Sequence, residues 1–309
     1  MSYRGTEDWR AGVLLDAEVV DAEKAAKSAS LEGEWASVRA VITHSAAELS
    51  ALEGSARAHL SELGRSATEL RLGPPVPDAE KILCIGLNYL DHQEESAASV
   101  SVAKEVPRFP MVFNKFRPAL IGDRDPIEPP AITRQLDFES ELAVVIGREA
   151  RNVSLDEALD YVGGYSAFND VSARDLQLRS PQWAIGKGFD TSGPFGPWLV
   201  TADEIGDPQN LKIVGRLNGD VMQESSTSLM IFPVAQLIEY ISQAITLVPG
   251  DVIATGTPAG VGLARNPPRY MQTGDVFEVE VERIGTLTNP IVEPRSNFIS
   301  NLEDLEVAQ

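Results

Sequence analysis

The sequence predicts an α+β protein in which a small N-terminal domain precedes a larger one. Short apolar runs that end at a glycine, such as residues 142–147, are typical of buried strands. Amphipathic helices lie between such runs, for example over 45–63, where leucines recur at helical spacing. The stiff, proline-rich segment 73–77 cannot continue a helix and separates the two parts. We therefore expect residues 1–73 to form the small α+β domain and residues 80–309 to form the larger one.

The composition is that of an ordinary globular protein, with 43% hydrophobic and 23% charged residues among 309. The formal net charge is −20 and the isoelectric point is near 4.5. A surface with this much negative charge repels nucleic-acid backbones and anionic lipid headgroups. We therefore expect neither nucleic acid nor a membrane as partner. An anionic substrate needs local positive charge, from a metal ion or from a few placed Lys and Arg side chains.

The single cysteine, Cys84, lies within an apolar run and is expected to be a buried small side chain. No disulfide can form within the chain, which favours a reducing cytoplasm. No apolar segment approaches the length of a membrane span, and the first residues lack a signal-peptide core. We therefore expect a cytoplasmic protein.

The N-terminal domain is predicted to contain a hairpin and a helix. Residues 11–21 alternate in polarity around a tight turn at Asp16-Ala17. The helical spacing over 45–63 ends at Gly64, which is a typical helix stop. Nothing in this domain carries obvious chemistry.

The larger domain is predicted to consist mainly of short strands. These lie at residues 81–86, 109–122, 142–147, 165–168, 252–254, 275–283 and 286–292. Ser154 and Glu157 form a capping box for a helix over 155–162, which Gly163-Gly164 should stop. A second helix is predicted over 233–244, with its apolar side chains on one face.

Three acidic residues, Asp137, Glu139 and Glu141, directly precede the apolar run 142–147. Side chains alternate along a strand, so these three carboxylates should share one face and repel each other. A hard divalent cation such as Mg²⁺ or Mn²⁺ prefers oxygen ligands and is the natural partner. Asp170 follows Glu139 by one strand, one helix and another strand, a path that can return it beside the other acids. The alternative is a solvated acidic strand end without function.

A second polar cluster follows the strand 81–86. His92 and Glu95 are three residues apart, so they share a face of a helical turn and can hydrogen-bond. A histidine held by a carboxylate has a fixed tautomer, which suits a general base. On spacing alone, an incidental surface pair is the stronger interpretation.

Two glycine-rich loops are also considered as parts of a functional site. Lys187 stands between two glycines, which lets it approach a ligand closely, although a solvated lysine is the alternative. The loop 255–262 lacks the Gly-Lys-Ser/Thr ending of a phosphate-binding loop, so we do not expect nucleotide binding there.

Taken in order, these motifs resemble the fumarylacetoacetate hydrolase family from about Lys81 to the C-terminus. The resemblance is carried by Asn88-Tyr89-x-x-His92-x-x-Glu95, Glu139-x-Glu141, Asp170, Gly186-Lys187-Gly188 and Thr255-Gly256-Thr257-Pro258. Each motif alone is weak, but the ordered set is highly specific. The resemblance implies a mixed β-roll for the larger domain and a homodimeric assembly.

The resemblance also implies one Mg²⁺ or Mn²⁺ ion in each site, held by Glu139, Glu141 and Asp170. Asp137 then has at most a supporting role.

The same resemblance assigns the remaining catalytic positions. His92 and Glu95 correspond to a catalytic dyad on a mobile lid in several members of the family, and Lys187 corresponds to a residue that contacts the substrate oxygen. We further expect five residues to bind the keto-acid substrate, namely Tyr89, Arg117, Gln182, Gln223 and Thr257.

The expected activity is metal-dependent hydrolysis of a C–C bond in a 2,4-diketo acid, an acylpyruvate, to pyruvate and a second acid. The loops 186–197 and 267–270 favour this substrate class by resemblance. The same enolate-stabilising site also supports decarboxylation of oxaloacetate and isomerisation of unsaturated keto acids. An inactive binding module with the same fold is the alternative of another class.

Overall fold

The computed structural model describes residues 1–5, 8–99 and 106–294. Residues 1–73 form a four-stranded antiparallel sheet, ordered β1-β2-β3-β4, and short helices that pack on it. Its strands are β1 (Ser2–Arg4), β2 (Trp9–Leu15), β3 (Glu18–Asp21) and β4 (Arg65–Ser66), and its helices are α1 (Ala22–Ser28), α2 (Val38–Val41), α3 (Ala46–Ala58) and α4 (Leu60–Leu63).

Local sequence explains these N-terminal elements. Leu15 pairs with Glu18 across the predicted hairpin, and Asp16 in the turn has a positive φ of 55°. Ser45 begins α3 with a capping box. The predicted helix over 45–63 is broken at its C-terminal end, and α4 then ends at Gly64.

The larger part of the chain is built on a seven-stranded sheet ordered β6-β5-β15-β9-β10-β12-β7. Its strands are β5 (Ile82–Gly86), β6 (Met111–Lys115), β7 (Leu120–Ile121), β9 (Ser140–Ile146), β10 (Val162–Asn169), β12 (Gly193–Thr201) and β15 (Val252–Ala254). β9 and β10 lie in the middle of this sheet and are buried almost throughout.

Smaller elements complete this part. They are the two-stranded sheet of β8 (Leu136–Asp137) and β11 (Ser172–Ala173), the four-stranded sheet of β13 (Lys212–Leu217), β14 (Asp220–Ser226), β16 (Val276–Val281) and β17 (Gly285–Pro290), and the helices α5 (Leu90–Ser99), α6 (Arg174–Gln177), α7 (Ala184–Lys187), α8 (Ala202–Ile205) and α9 (Val234–Ser242). The four-stranded sheet is ordered β14-β13-β16-β17.

The seven-stranded sheet is covered on both faces. Val144 joins a core that includes Leu237 of α9 and Phe277 of the four-stranded sheet. Its neighbour Val145 points to the other face and joins a core with side chains of the N-terminal sheet and helices. Val76, in the proline-rich segment, is fully buried in this second core. The N-terminal part and the larger part of the chain therefore share this second core.

Helix α9 buries Val234, Leu237, Ile238 and Ile241, as its spacing predicts. Within the described ranges, no helix combines the length and the apolar character needed to cross a membrane.

The short helix predicted over 155–162 is present as a 3₁₀ helix at Leu155–Tyr161. The role predicted for Gly163-Gly164 is wrong, because both glycines lie within β10 instead of ending the helix. The reason is close packing, because a Cβ added to Gly147 of the neighbouring chain segment would lie 2.7 Å from the Cα of Gly163. The glycines serve a close backbone approach, which local spacing does not reveal.

A candidate metal and acid–base site

Three carboxylates, those of Glu139, Glu141 and Asp170, meet at one end of β9 and β10. One oxygen of each lies within 4.8 Å of the others, and all three residues are buried. The antiparallel pairing of β9 with β10 sets Asn169 opposite Ser140, which returns Asp170 beside the two glutamates. β8 ends at Asp137 and β9 begins at Ser140, so Glu139 lies in a break between strands.

Three buried cations surround these carboxylates. Lys187 Nζ lies 2.7 Å from one oxygen of Glu139 and 2.7 Å from one oxygen of Asp170. Lys115 Nζ lies 2.7 Å from the other oxygen of Asp170. Arg174 Nη1 lies 2.7 Å from the other oxygen of Glu139. Lys187 is only 2% exposed, so it is not a solvated lysine.

The neighbouring charges shift the pKa values of Glu139 and Glu141 in opposite directions. Burial alone would raise the pKa of Glu139, but Lys187 and Arg174 outweigh it and hold that pKa well below its usual value. Burial, together with Asp170 and Glu139, raises the pKa of Glu141 well above its usual value. Burial lowers the pKa of Lys187, but the two carboxylates it contacts outweigh this effect, so Lys187 stays charged.

The donor set fits a hard divalent cation. All three groups offer carboxylate oxygens, which are the ligands that Mg²⁺ and Mn²⁺ prefer. Among the described residues no cation pairs with Glu141, whose Oε2 accepts the backbone N–H of Gly256 at 2.8 Å. Glu141 is thus the carboxylate whose charge most requires a bound ion.

Asp137 contacts the carboxylate cluster indirectly, through Arg174. It accepts a 2.8 Å hydrogen bond from Arg174, which also pairs with Glu139. The backbone N–H groups of Gly262 and Leu263 donate to its two oxygens at 2.7 and 3.0 Å. These contacts engage both oxygens of Asp137 with the protein, which agrees with a supporting role.

His92 and Glu95 form a hydrogen-bonded pair on α5. His92 Nδ1 lies 3.2 Å from Glu95 Oε2, and His92 is 6% exposed. Because Nδ1 donates to the carboxylate, Nε2 is left as the proton acceptor. The backbone N–H of Gly260 donates to both oxygens of Glu95, which fixes the pair against the loop 255–262.

Known proteins are similar to this chain in sequence and in fold. Residues 81–292, more than half of the chain, match the family model described as fumarylacetoacetate (FAA) hydrolase C-terminal. The chain belongs to the fumarylacetoacetate hydrolase family. This confirms the resemblance and the expected α+β fold.

Individual relatives of this family carry different activities in their names. A protein of Xenopus laevis named oxaloacetate tautomerase fahd2, mitochondrial, is 45% identical over 229 residues, which are 74% of this chain and 70% of that protein. The 2-hydroxyhepta-2,4-diene-1,7-dioate isomerase of Mycobacterium marinum has a TM-score of 0.65 at 41% identity, covering 75% of this chain and 82% of its own. The fumarylacetoacetate hydrolase of Exiguobacterium antarcticum has a TM-score of 0.75 at 36% identity, covering 95% of this chain and 98% of its own.

The five residues expected to bind substrate fall into two groups. Tyr89, Gln223 and Thr257 are buried near the carboxylates. The Tyr89 hydroxyl is buried and has no hydrogen-bond partner among the described residues. Arg117 and Gln182 are exposed: the Arg117 guanidinium donates to the Ala79 carbonyl, and the backbone carbonyl of Gln182 accepts from the Ser180 hydroxyl. The substrate-binding role of all five residues stays a prediction.

Sequence reasoning missed the cations Lys115 and Arg174 and the amide of Asn169. Asn169 Oδ1 accepts the backbone N–H of Glu139 at 3.1 Å. A signal for the cations was available, because a group of buried carboxylates requires compensating charge. Lys115 at the end of an apolar strand and Arg174, four residues after Asp170, both meet that requirement.

Proposed function

We propose that this family member interconverts the keto and enol forms of oxaloacetate or a closely similar 2-keto dicarboxylic acid. The observation that carries the proposal is the buried group of Glu139, Glu141 and Asp170 together with the hydrogen-bonded His92–Glu95 pair, whose His92 is close enough to lower the pKa of Glu139. The names of the tautomerase and isomerase relatives support isomerisation, an alternative raised from sequence, more than they support hydrolysis.

The charge of the site suits an anionic keto acid. With Asp137 included, four buried carboxylates face the three cations Lys115, Lys187 and Arg174. A divalent ion held by Glu139, Glu141 and Asp170 would make the net charge positive even with all four carboxylates ionised, and it would polarise the keto oxygen of a bound acid. This local positive charge is what an anionic substrate requires on an otherwise acidic protein.

The chain's own residues then account for the proton movement. His92 Nε2 takes a proton from C3 of the keto acid while Glu95 holds the imidazole and stabilises its positive charge. The C3–H bond breaks, its electrons form the C2–C3 double bond, and negative charge develops on the C2 oxygen. The charged Lys187 stabilises that oxygen, and His92 returns the same proton to it. The reverse sequence regenerates the keto form.

Hydrolysis of an acylpyruvate remains a second candidate, because a histidine whose Nδ1 is held by Glu95 can also deprotonate a water through Nε2. This reaction consumes water and yields pyruvate, whereas tautomerisation changes neither mass nor carbon count. Decarboxylation of oxaloacetate would yield pyruvate and CO₂. Product analysis therefore separates the three reactions.

The test follows enolic oxaloacetate by its ultraviolet absorbance with Mg²⁺ or Mn²⁺, and by NMR for pyruvate. We expect rapid loss of the enol signal without pyruvate, and no acceleration when EDTA is present. His92→Ala should lower turnover by about 10²-fold or more. His59→Ala is the matched control, because His59 hydrogen-bonds Ser55 in the N-terminal part. Release of pyruvate from oxaloacetate or acetylpyruvate at a higher rate than enol loss would contradict the proposal.

A homodimer and a cytoplasmic location are also proposed, both from family resemblance and composition. Light scattering after size-exclusion chromatography tests the dimer, and cell fractionation tests the location.

A further inference from the structure

We propose that Gln223 is a positioning residue that couples the carboxylate cluster to the His92–Glu95 pair. This inference deepens the function proposed above and rests on it for the catalytic part of its test. The amide of Gln223 joins the segment that carries Glu139 and Glu141 to the loop that holds Glu95.

The first contact of the Gln223 amide is with the segment 139–141, which carries two of the three carboxylates. Gln223 lies on β14 and is 1% exposed. Its Oε1 accepts the backbone N–H of Ser140 at 2.9 Å, and Ser140 stands between Glu139 and Glu141. This bond fixes the peptide group between Glu139 and Ser140, and so the backbone next to both metal-site glutamates. Gly215, opposite Gln223 on β13, permits this approach because a Cβ there would lie 2.3 Å from Ser140 Oγ.

The second contact is with the loop 255–262. Gln223 Nε2 donates to Thr257 Oγ1 and to the Pro258 carbonyl, both at 2.8 Å. The same loop uses the N–H of Gly256 to hold Glu141 and the N–H of Gly260 to hold Glu95. A shift of the loop would therefore move a metal-site carboxylate and the dyad together.

The chemistry of the side chain explains why a glutamine suits this position. One carbonyl oxygen faces an N–H, and the two N–H bonds of the amide nitrogen face two oxygens. Every hydrogen-bonding direction of the amide except the second lone pair of its oxygen is occupied by the protein. In this proposal Gln223 acts through its neighbours, which is an alternative to the direct substrate contact that the sequence predicts.

The test compares Gln223→Met and Gln223→Glu with the wild type. Methionine has a similar length but removes all three hydrogen bonds, whereas glutamate keeps an acceptor for Ser140 and loses both donors. Mutating groups that orient metal ligands costs about 10- to 100-fold in metal affinity or activity. We expect Gln223→Met to weaken Mn²⁺ binding by about 10-fold or more in titration calorimetry and to lower kcat more than it raises KM. Gln223→Glu should keep more of the Mn²⁺ affinity.

Asn289→Leu is the matched control. Asn289 is also 1% exposed, and its amide ties the backbone of Gly122 and Asp125, away from the carboxylates. It should lower the melting temperature as Gln223→Met does, but leave Mn²⁺ affinity and kcat unchanged at a temperature where the protein is folded. If Gln223→Met behaves in the same way, the residue is merely structural and the proposal is wrong.

Two further outcomes are distinguishable. If Gln223→Met does not fold, Gln223→Glu decides, and unchanged Mn²⁺ affinity and kcat in that variant overturn the proposal. If the wild type does not interconvert oxaloacetate tautomers, the proposed function fails, while Mn²⁺ affinity still tests the role of Gln223.

Discussion

The backbone N–H of Gly260 donates to both carboxylate oxygens of Glu95, at 2.9 and 3.1 Å. Gly260 lies in the loop that also holds Glu141, whereas Glu95 lies on α5 beside His92. Chain segments 165 residues apart in sequence therefore place the acid–base pair with respect to the carboxylates.

Gly260 cannot be replaced without moving this loop. Its φ is +105°, and an added Cβ would lie 2.2 Å from the carbonyl oxygen of Met222. We predict that Gly260→Ala displaces Glu95 and lowers kcat/KM by about 10²-fold, since small misplacements of catalytic groups have effects of this size. Steady-state turnover of oxaloacetate measures the effect.

Gly274→Ala is the control that separates the effect of backbone strain at a positive φ from the effect of displacing Glu95. Gly274 has a φ of +90°, but an added Cβ would meet nothing within 4 Å. This variant should lose about 1–2 kcal/mol of unfolding free energy, as expected for left-handed strain alone, and should keep its turnover. Equal losses of turnover in the two variants would contradict the positioning argument.

The three carboxylates of the candidate metal site could be predicted from their spacing in the sequence. Glu139 and Glu141 alternate before a buried strand, and Asp170 returns to them by the chain path. The prediction of one continuous strand through Asp137 was less accurate, because the chain breaks between β8 and β9. That break is a tertiary feature, since Glu139 is positioned by the side chain of Asn169 on β10.

Long-range contacts explain what sequence patterns did not predict. The predicted carboxylates require cations, but only the contacts of Arg174 with Asp137 and Glu139 identify it as one of them. Gln223 is equally hidden, because its partners Ser140 and Thr257 are 83 and 34 residues away. No local periodicity encodes such pairs, so only the folded chain reveals them.

Metal binding should stabilise the folded protein. A ligand at 100 times its Kd contributes about 2.7 kcal/mol, which corresponds to a rise of about 5 °C in melting temperature for a chain of this size. We predict such a rise with Mg²⁺ or Mn²⁺, measured by calorimetry after EDTA treatment. Glu141→Ala should abolish it, whereas the exposed Glu149→Ala should respond like the wild type. A full rise in Glu141→Ala would remove Glu141 from the metal site.

Metal binding should also release a proton from Glu141. Its pKa is raised by burial and by Asp170 and Glu139, and a ligand carboxylate must be ionised. We therefore predict that metal affinity falls as the pH is lowered through this pKa, by at most one proton per ion. Calorimetry in two buffers of different ionisation enthalpy counts the proton, and Glu141→Gln should eliminate its release. Identical heats of binding in the two buffers for the wild type would contradict this assignment.

The same pKa makes a prediction for the metal-free protein. A carboxyl group with a raised folded-state pKa stabilises the fold fully below its unfolded pKa of about 4.5. That stabilisation is lost as the pH rises through the folded-state pKa of Glu141. At neutral pH in EDTA, Glu141→Gln should therefore be more stable than the wild type, because the neutral amide cannot ionise. Urea unfolding at pH 5 and pH 8 checks the sign, since the advantage of the variant should grow with pH.

Arg174 should be essential for stability as well as for the site. It is 5% exposed and pairs with Asp137 and Glu139, so its removal takes the guanidinium from the buried Asp137 and leaves Glu139 with Lys187 alone. Breaking a buried ion pair on one side costs about 3–5 kcal/mol. We predict a loss of that size in Arg174→Leu, measured by urea unfolding at neutral pH.

The control for Arg174 is the surface ion pair of Lys212 and Glu224, in which both side chains are more than half exposed. Lys212→Ala should change the unfolding free energy by less than about 1 kcal/mol, because solvent screens such pairs. The loss in Arg174→Leu should also shrink at low pH, because Arg174 helps to lower the pKa of Glu139, so the variant takes up a proton on Glu139 at a higher pH than the wild type does. A loss that is independent of pH would mean that packing, and not charge, is the main contribution of Arg174.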